Sequence, residues 1–270
     1  MDKDALTRIA EALERLSPPV ATDVPNDAPA YVWQSGIMRP VPAFNPVSVD
    51  LLAGVDAQKA AILENSRRLA AGAAAHDILL WGARGTGKSA LVKSTTKAVQ
   101  DEGGTLRLVE ASCDEIDSLP ALFALLSRSD VPTLVFIDDI GFEQADPRMR
   151  HIRSVLDGGI SARPGHVRLY VTANRRHIVP RNLEEQASAI NPRDTVDDNL
   201  ALADRFGLSL GFHVCTQDVW LEMVAGYANH LGLEFDPQDA LTWATQRGAR
   251  SGRVAWHYAV ELAGRAGKTL

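Results

Sequence analysis

The sequence predicts an α/β fold with a doubly wound parallel sheet, followed by a small all-helical domain. Apolar runs of strand length alternate with segments that fit helices, and this alternation favours a parallel sheet with both faces covered. The runs are residues 77–81, 106–109, 133–137 and 167–172. Beyond residue 214 only helical spacing of apolar residues remains, which predicts the domain boundary there.

The composition is that of an ordinary globular protein, with 46% hydrophobic and 23% charged residues in 270. A net charge of -6 argues against broad, sequence-independent binding to nucleic acid, which depends on Lys and Arg. Cys113 and Cys215 are far apart, which predicts neither a disulfide framework nor a zinc site. No apolar run approaches the about 20 residues that span a bilayer, and residues 1–17 lack a secretory signal. A cytoplasmic protein without membrane insertion is therefore expected.

The domains are predicted as follows. Residues 1–17 have apolar side chains at helical spacing, which predicts an amphipathic N-terminal helix. Residues 18–46 hold half of the chain's 14 prolines, which predicts an extended connector rather than part of a core. Residues 47–214 are the predicted α/β domain, and residues 215–270 are the predicted helical domain.

The strongest motif is Gly-Ala-Arg-Gly-Thr-Gly-Lys-Ser at residues 82–89, which fits GxxxxGK[ST] between a predicted strand and a predicted helix. The glycines let backbone N–H groups face phosphate oxygens, Lys88 reaches the β- and γ-phosphates, and Ser89 ligates Mg²⁺. The motif predicts ATP and Mg²⁺ as ligands, and a chance glycine turn is the alternative. The predicted binding residues are Gly82, Ala83, Arg84, Gly85, Thr86, Gly87, Lys88 and Ser89.

Polar side chains follow two of the other predicted strands. Asp138 ends the strand at 133–137 and is the expected second ligand of Mg²⁺, while Asp139 is the candidate to orient or deprotonate the attacking water. Asn174 follows the strand at 167–172 at the same edge of the sheet, where it could polarise that water. The alternative for each is a solvated turn or a helix cap.

Two arginines complete the predicted site. Arg205 and Arg253 each offer a guanidinium, which is always ionised and binds phosphoryl oxygens bidentately as charge develops on them. A structural ion pair is the alternative for both. The basic cluster at residues 175–177 is more typical of a solvated face than of a phosphate or nucleic-acid contact.

The order of these elements resembles the AAA+ ATPase superfamily of P-loop NTPases. Residues 80–89, 172–177, 204–208 and 247–255 are similar to the bacterial predicted-ATPase family called domain of unknown function 815. The resemblance covers about residue 51 to the C-terminus. It implies an AAA+ core followed by a helical lid domain.

Roles follow from this resemblance residue by residue. It implies Asp138 as the Walker B carboxylate, Asn174 as sensor 1 and Arg253 as sensor 2. It also implies Arg205 as a finger offered to a neighbouring subunit, and hence a homo-oligomer. Val55 lies in a segment that resembles the lining of the adenine pocket.

These features predict a Mg²⁺-dependent ATPase that hydrolyses ATP to drive conformational change on a macromolecular partner, either protein or DNA. The superfamily commonly has Glu where this chain has Asp139, and the shorter side chain motivates an alternative, a nucleotide-dependent binding switch with little or no hydrolysis. A small-molecule kinase shares the P-loop but needs neither Asn174 nor a lid arginine. The partner and the oligomer size are left open by the sequence.

Overall fold

The computed structural model describes residues 8, 24–140, 152, 155–156, 163–174 and 204–269. Its centre is a seven-stranded sheet with the strand order β2-β1-β4-β5-β6-β3-β7. The strands are β1 (Ala30–Gln34), β2 (Ile37–Val41), β3 (Ile78–Gly82), β4 (Arg107–Ala111), β5 (Thr133–Ile140), β6 (Val167–Ala173) and β7 (Leu208–Phe212). All neighbouring strands are parallel except β1 and β2. The predicted helix at 1–17 lies outside the described residues except for Arg8.

Helices cover both faces of this sheet, as the predicted doubly wound fold requires. The helices are α1 (Asp56–Ala70), α2 (Lys88–Asp101), α3 (Leu119–Leu126), α4 (Gln217–His230), α5 (Pro237–Gln246) and α6 (Gly252–Arg265), with short 3₁₀ helices at Val49–Leu51 and Cys113–Ser118. Helices α1 and α2 pack on one face, and α3 packs on the other. The fold class predicted from the sequence is confirmed.

The central strands are apolar on both sides because each face is buried. In β3, Leu79 belongs to the core on the α3 side, while Ile78 and Leu80 belong to the core under α1 and α2. All three side chains are fully buried. Successive strand residues point to opposite faces, so a two-sided core requires a continuous apolar run. The four strands that the apolar runs predict are present as β3, β4, β5 and β6.

The region predicted as a Pro-rich connector, 18–46, contains part of the sheet. β1 and β2 form an antiparallel hairpin across the turn Ser35–Gly36, where both residues have positive φ, 52° and 78°. Trp33 is buried in the core beneath α3, and its Nε1 donates a hydrogen bond to Ser118 Oγ at 2.7 Å. Pro40 is accommodated because β2 is an edge strand. The high proline content therefore obscured a β-hairpin in the sequence, and the α/β core includes residues that precede residue 47.

Strand β7 also lacks a clear sequence signal. It is short and contains Gly211, which normally weakens a strand. The glycine is required by packing, because a Cβ at this position would lie 2.8 Å from Cζ2 of the Trp81 ring. A close approach between a backbone and a ring thus interrupts the apolar pattern of β7.

The C-terminal helices α4, α5 and α6 have a hydrophobic core of their own, built around Trp220, Val224 and Tyr258. β7 ends at Phe212 and the first of these helices, α4, begins at Gln217. Each of the three helices begins with a side-chain cap on a backbone N–H, as is typical of helix N-termini. In the described ranges, every helix is too short or too polar to cross a membrane.

The hairpin contact generates a test of the fold. We expect Trp33→Ala to lower the free energy of unfolding by about 3–5 kcal/mol, because it removes a buried aromatic side chain. Urea denaturation followed by circular dichroism measures the change. Trp33→Phe keeps an aromatic ring but loses part of the buried volume and the hydrogen bond to Ser118, so its cost should be smaller, about 1–2 kcal/mol. Equal, small effects of both variants would show that residues 30–41 do not belong to the cooperative core.

Candidate functional site

A cavity of about 540 Å³ lies at the carboxyl edge of the sheet, between the sheet and the C-terminal helices. Ligands of doubly wound folds collect at this edge. The cavity brings together most of the residues predicted from the sequence. They are Val55, Arg84, Gly85, Thr86, Gly87, Lys88, Ser89, Asp138, Asp139, Asn174 and Arg253.

The loop between β3 and α2 has the backbone that the motif predicts. Gly82, Gly85 and Gly87 have φ values of 138°, 78° and 90°, a range that favours glycine. At Gly82 a side chain is excluded twice, because a Cβ would also lie 2.0 Å from the backbone oxygen of Phe212 in β7. The turn is therefore fixed by backbone geometry and by the neighbouring strand.

Lys88 is 5% exposed and is held by three oxygen atoms. Its Nζ donates to the backbone oxygens of Gly82 at 3.0 Å and Ala83 at 2.8 Å, and to Asn174 Oδ1 at 3.1 Å. Burial lowers the pKa of Lys88, although the charges of Asp138 and Asp139 oppose this shift. Gly82 and Ala83 do not line the cavity themselves; their carbonyl groups orient the ammonium group that does.

Asp138 is the centre of a compact set of oxygen atoms. Ser89 Oγ donates to Asp138 Oδ1 at 2.6 Å, and Thr172 Oγ1 donates to the same oxygen at 2.5 Å. Hydroxyl and carboxylate oxygens are the ligands that Mg²⁺ prefers, so the Ser89 and Asp138 pair fits that ion. Thr172 was not predicted as a site residue. Its signal is its position near the end of β6, two residues before Asn174.

The side chain of Asp139 contacts a different set of groups from that of Asp138. The pairing of β5 with β6 shifts register between Ile137 and Ile140, and Asp139 has a φ of 56°. Its N–H donates to Thr172 Oγ1 at 2.8 Å. Its carboxylate accepts a hydrogen bond from Asn174 Nδ2 and lies 3.6 Å from Arg84 Nη2. The two adjacent carboxylates therefore serve separate groups of partners.

The two predicted arginines lie in different places. Arg253 is exposed at the start of α6 and lines the cavity. Arg205 is exposed and precedes β7, at the opposite edge of the sheet from Gly82. The five residues of β7 span about 16 Å, and Arg205 lies before them. The structure thus does not bring Arg205 to the cavity of its own chain. The basic cluster at 175–177 lies outside the described residues.

Aromatic residues of the C-terminal helices form a further wall that was not predicted. Tyr227 of α4 and Trp256 of α6 pack edge to face, with ring centroids 5.3 Å apart, and both line the cavity. The cavity also has an aliphatic lining that includes Leu52 and Val55. Trp256 lies three residues after Arg253, so both occupy one face of α6. This spacing is the sequence signal that could have identified Trp256.

The start of α6 also contacts the backbone of the loop between β3 and α2 directly. The N–H of Gly252 donates to the carbonyl oxygen of Gly85 at 3.1 Å. Trp220 Nε1 in α4 donates to the carbonyl oxygen of Ser251 at 3.2 Å, which fixes the residue before this contact. The C-terminal helices are therefore connected to the loop through main-chain atoms.

The family profile described as "Protein of unknown function (DUF815)" matches residues 26–266. The chain belongs to the DUF815 family. The match begins well before residue 51, so the DUF815 region includes the β1–β2 hairpin. No curated protein matches the sequence.

Solved structures share the fold of this DUF815 protein at low identity. The Holliday junction branch migration motor RuvB of Thermotoga maritima has a TM-score of 0.51 at 16% identity, covering 83% of this chain and 68% of that one. Aeropyrum pernix Orc1 in complex with DNA has a TM-score of 0.54 at 16% identity, covering 84% of this chain and 66% of that one. Domain III of Thermotoga maritima DnaA has a TM-score of 0.50 at 14% identity, covering 85% of this chain and 92% of that one. These similarities show an AAA+ P-loop NTPase fold.

The loop geometry of this DUF815 protein can be tested by stability. We expect Gly82→Ala to lower the free energy of unfolding by about 3–5 kcal/mol, because it combines an unfavourable φ with a collision against β7. Gly72→Ala is the matched control, since Gly72 has a φ of 69° and open space around it. Its cost should be about 1–2 kcal/mol. Urea denaturation of both variants provides the comparison, and equal costs would contradict the close approach of β3 and β7.

Proposed function

We propose that this protein is a Mg²⁺-dependent ATPase that uses ATP hydrolysis to drive conformational change on a macromolecular partner. The observation that carries the proposal is the convergence of Lys88, Ser89, Asp138 and Asn174 on one cavity behind the glycine loop. A volume of about 540 Å³ is within the range of small-molecule and cofactor sites.

The phosphate end is formed by the loop and by α2. Backbone N–H groups at the start of a helix favour anions, and Lys88 exchanges its carbonyl partners for phosphate oxygens. Ser89 and Asp138 would hold Mg²⁺, which neutralises charge on phosphoryl oxygens when it is bound. Asp139 and Asn174 orient the attacking water, and Arg253 approaches the phosphates from α6.

The base end is apolar and aromatic. Trp256 and Tyr227 offer ring surfaces, and Leu52 and Val55 offer aliphatic surface in the same cavity. A planar base against such surfaces is stabilised by stacking and by removal of apolar surface from water. We assign the adenine ring of ATP to this part of the cavity.

The cavity joins two units that we propose move relative to each other. The α/β unit extends to residue 214 and supplies the loop and the carboxylates, whereas the helical unit at 215–270 supplies Arg253 and the aromatic wall. A change in the occupants of the phosphate end therefore alters contacts of both units. This motion is the proposed output of hydrolysis.

An oligomer is proposed because Arg205 lies at the amino ends of the strands, whereas the cavity of its own chain lies at their carboxyl ends. From that edge a guanidinium can complete the site of a neighbouring copy, which makes hydrolysis dependent on assembly. The net charge of -6 argues against broad, sequence-independent binding to nucleic acid, but it excludes neither a specific DNA site nor a protein partner. Both remain in the proposal, and the cytoplasm is the proposed location.

Steady-state ATP turnover across a protein concentration series tests the function. We expect turnover per subunit to rise with concentration and to vanish in Lys88→Ala. Arg205→Ala should lower turnover on the order of 10³-fold at unchanged ATP affinity, because a finger acts on the transition state. Arg68→Ala, which removes an exposed arginine paired with Glu64, is the control. Tight ATP binding without turnover above the Lys88→Ala blank would contradict hydrolysis and support the binding switch.

The base end has its own prediction. Trp256→Ala should weaken ATP binding by about 5- to 150-fold, since stacking of a base on an aromatic ring contributes about 1–3 kcal/mol. Titration calorimetry measures the dissociation constant of ATP and, in parallel, that of inorganic tripolyphosphate. Tripolyphosphate affinity should stay unchanged, and Trp256→Phe should retain most ATP affinity. Equal weakening of both ligands would contradict the placement of the base beside Trp256.

A further inference from the structure

A continuous chain of polar side chains crosses the phosphate end of the cavity. Lys88 Nζ donates to Asn174 Oδ1 at 3.1 Å, and Asn174 Nδ2 donates to Asp139 Oδ1. The other carboxylate oxygen, Asp139 Oδ2, lies 3.6 Å from Arg84 Nη2. The chain therefore runs from one residue of the glycine loop to another, and Asp139 is held between Asn174 and Arg84.

Arg84 occupies a variable position of the GxxxxGK[ST] motif, so the motif itself does not call for an arginine there. Its side chain is 80% exposed. It lines the cavity together with the carboxylate it faces. Among the contacts described for the Arg84 side chain, the ion pair with Asp139 gives this residue a specific orientation.

The backbone of Asp139 explains why the acid is short. A φ of 56° places it in the left-handed region, which Asp and Asn tolerate better than Glu does. The N–H bond to Thr172 Oγ1 at 2.8 Å holds this conformation. From here a side chain with one methylene already reaches both Asn174 and Arg84. A Glu would add strain and would carry its carboxylate past these partners.

We propose that Arg84 is a positioning residue for Asp139, and that Arg84 and Asn174 together aim this carboxylate at the attacking water. The inference rests on the proposed ATPase function. The left-handed backbone, the short acid and the loop arginine act as one unit, which performs the task that a Glu performs elsewhere in the superfamily. The side chain of Arg84 acts through Asp139 and not by binding ATP.

The size of the effect follows from exposure. Exposed ion pairs contribute modestly, so loss of Arg84 should lower kcat only about three- to fivefold. In Asp139→Glu the extra methylene displaces the carboxylate from its contacts with Asn174 and Arg84, and this misplacement should lower kcat by about fivefold or more. The direction of the change in kcat for Asp139→Glu is diagnostic. If the short side chain of Asp139 only placed its carboxylate poorly, a Glu would correct the placement and kcat would rise.

The test is steady-state kinetics on the full chain with ATP and Mg²⁺. Arg84→Ala should lower kcat with KM within about twofold of the original, and Arg84→Lys should restore most of kcat. In an Asp139→Asn background, Arg84→Ala should have no further effect on kcat. A raised KM at unchanged kcat, an additive double variant, or a faster Asp139→Glu would each overturn the assignment.

A second measurement does not depend on turnover. The side-chain amide of Asn174 donates to Asp139, so its NMR resonances in the nucleotide-free protein should shift in Arg84→Ala and return in Arg84→Lys. Unchanged resonances in Arg84→Ala would overturn the inference. Failure of the proposed function looks different, because the original chain would then turn over ATP no faster than Lys88→Ala, whatever the Asn174 resonances show.

Discussion

The Lys88 ammonium is buried among carbonyl oxygens, and much of the site follows from keeping it there. A buried cation is costly unless it is hydrogen bonded, and the backbone oxygens of Gly82 and Ala83 meet that requirement. Gly82 adopts a φ of 138°, a conformation that favours glycine. Strand β7 passes so close to Gly82 that a side chain has no room, so packing requires glycine there as well.

Thr172 links this arrangement to the carboxylates. Its hydroxyl group donates to Asp138 and accepts from the N–H of Asp139, so a single oxygen atom fixes both residues of the pair. Because β6 lies between β3 and β5, it connects the strand before the loop to the strand that carries the acids. The backbone of Asp139 is thus held by the sheet, and the contacts of its side chain with Asn174 and Arg84 are made from this fixed position.

The central strands and the loop could be predicted from the sequence because their requirements are local. A two-sided core demands apolar runs, and phosphate binding demands glycine and lysine at fixed spacing. The hairpin β1–β2, strand β7 and the role of Thr172 could not, because each depends on a partner distant in sequence. Trp33 meets Ser118, Gly211 meets Trp81, and Thr172 meets Asp138. Trp256 could be predicted only in part, because the sequence shows its helical spacing from Arg253 but not its contact with Tyr227.

The hairpin determines how the sheet ends. β2 is the outermost strand, and it presents Arg39 and Pro40, both exposed. A proline offers no N–H and a charged side chain resists burial, so a further strand pairs poorly with this edge. Pairing with a strand of another molecule is therefore disfavoured at β2, so the sheet is protected at this edge against extension by a second chain.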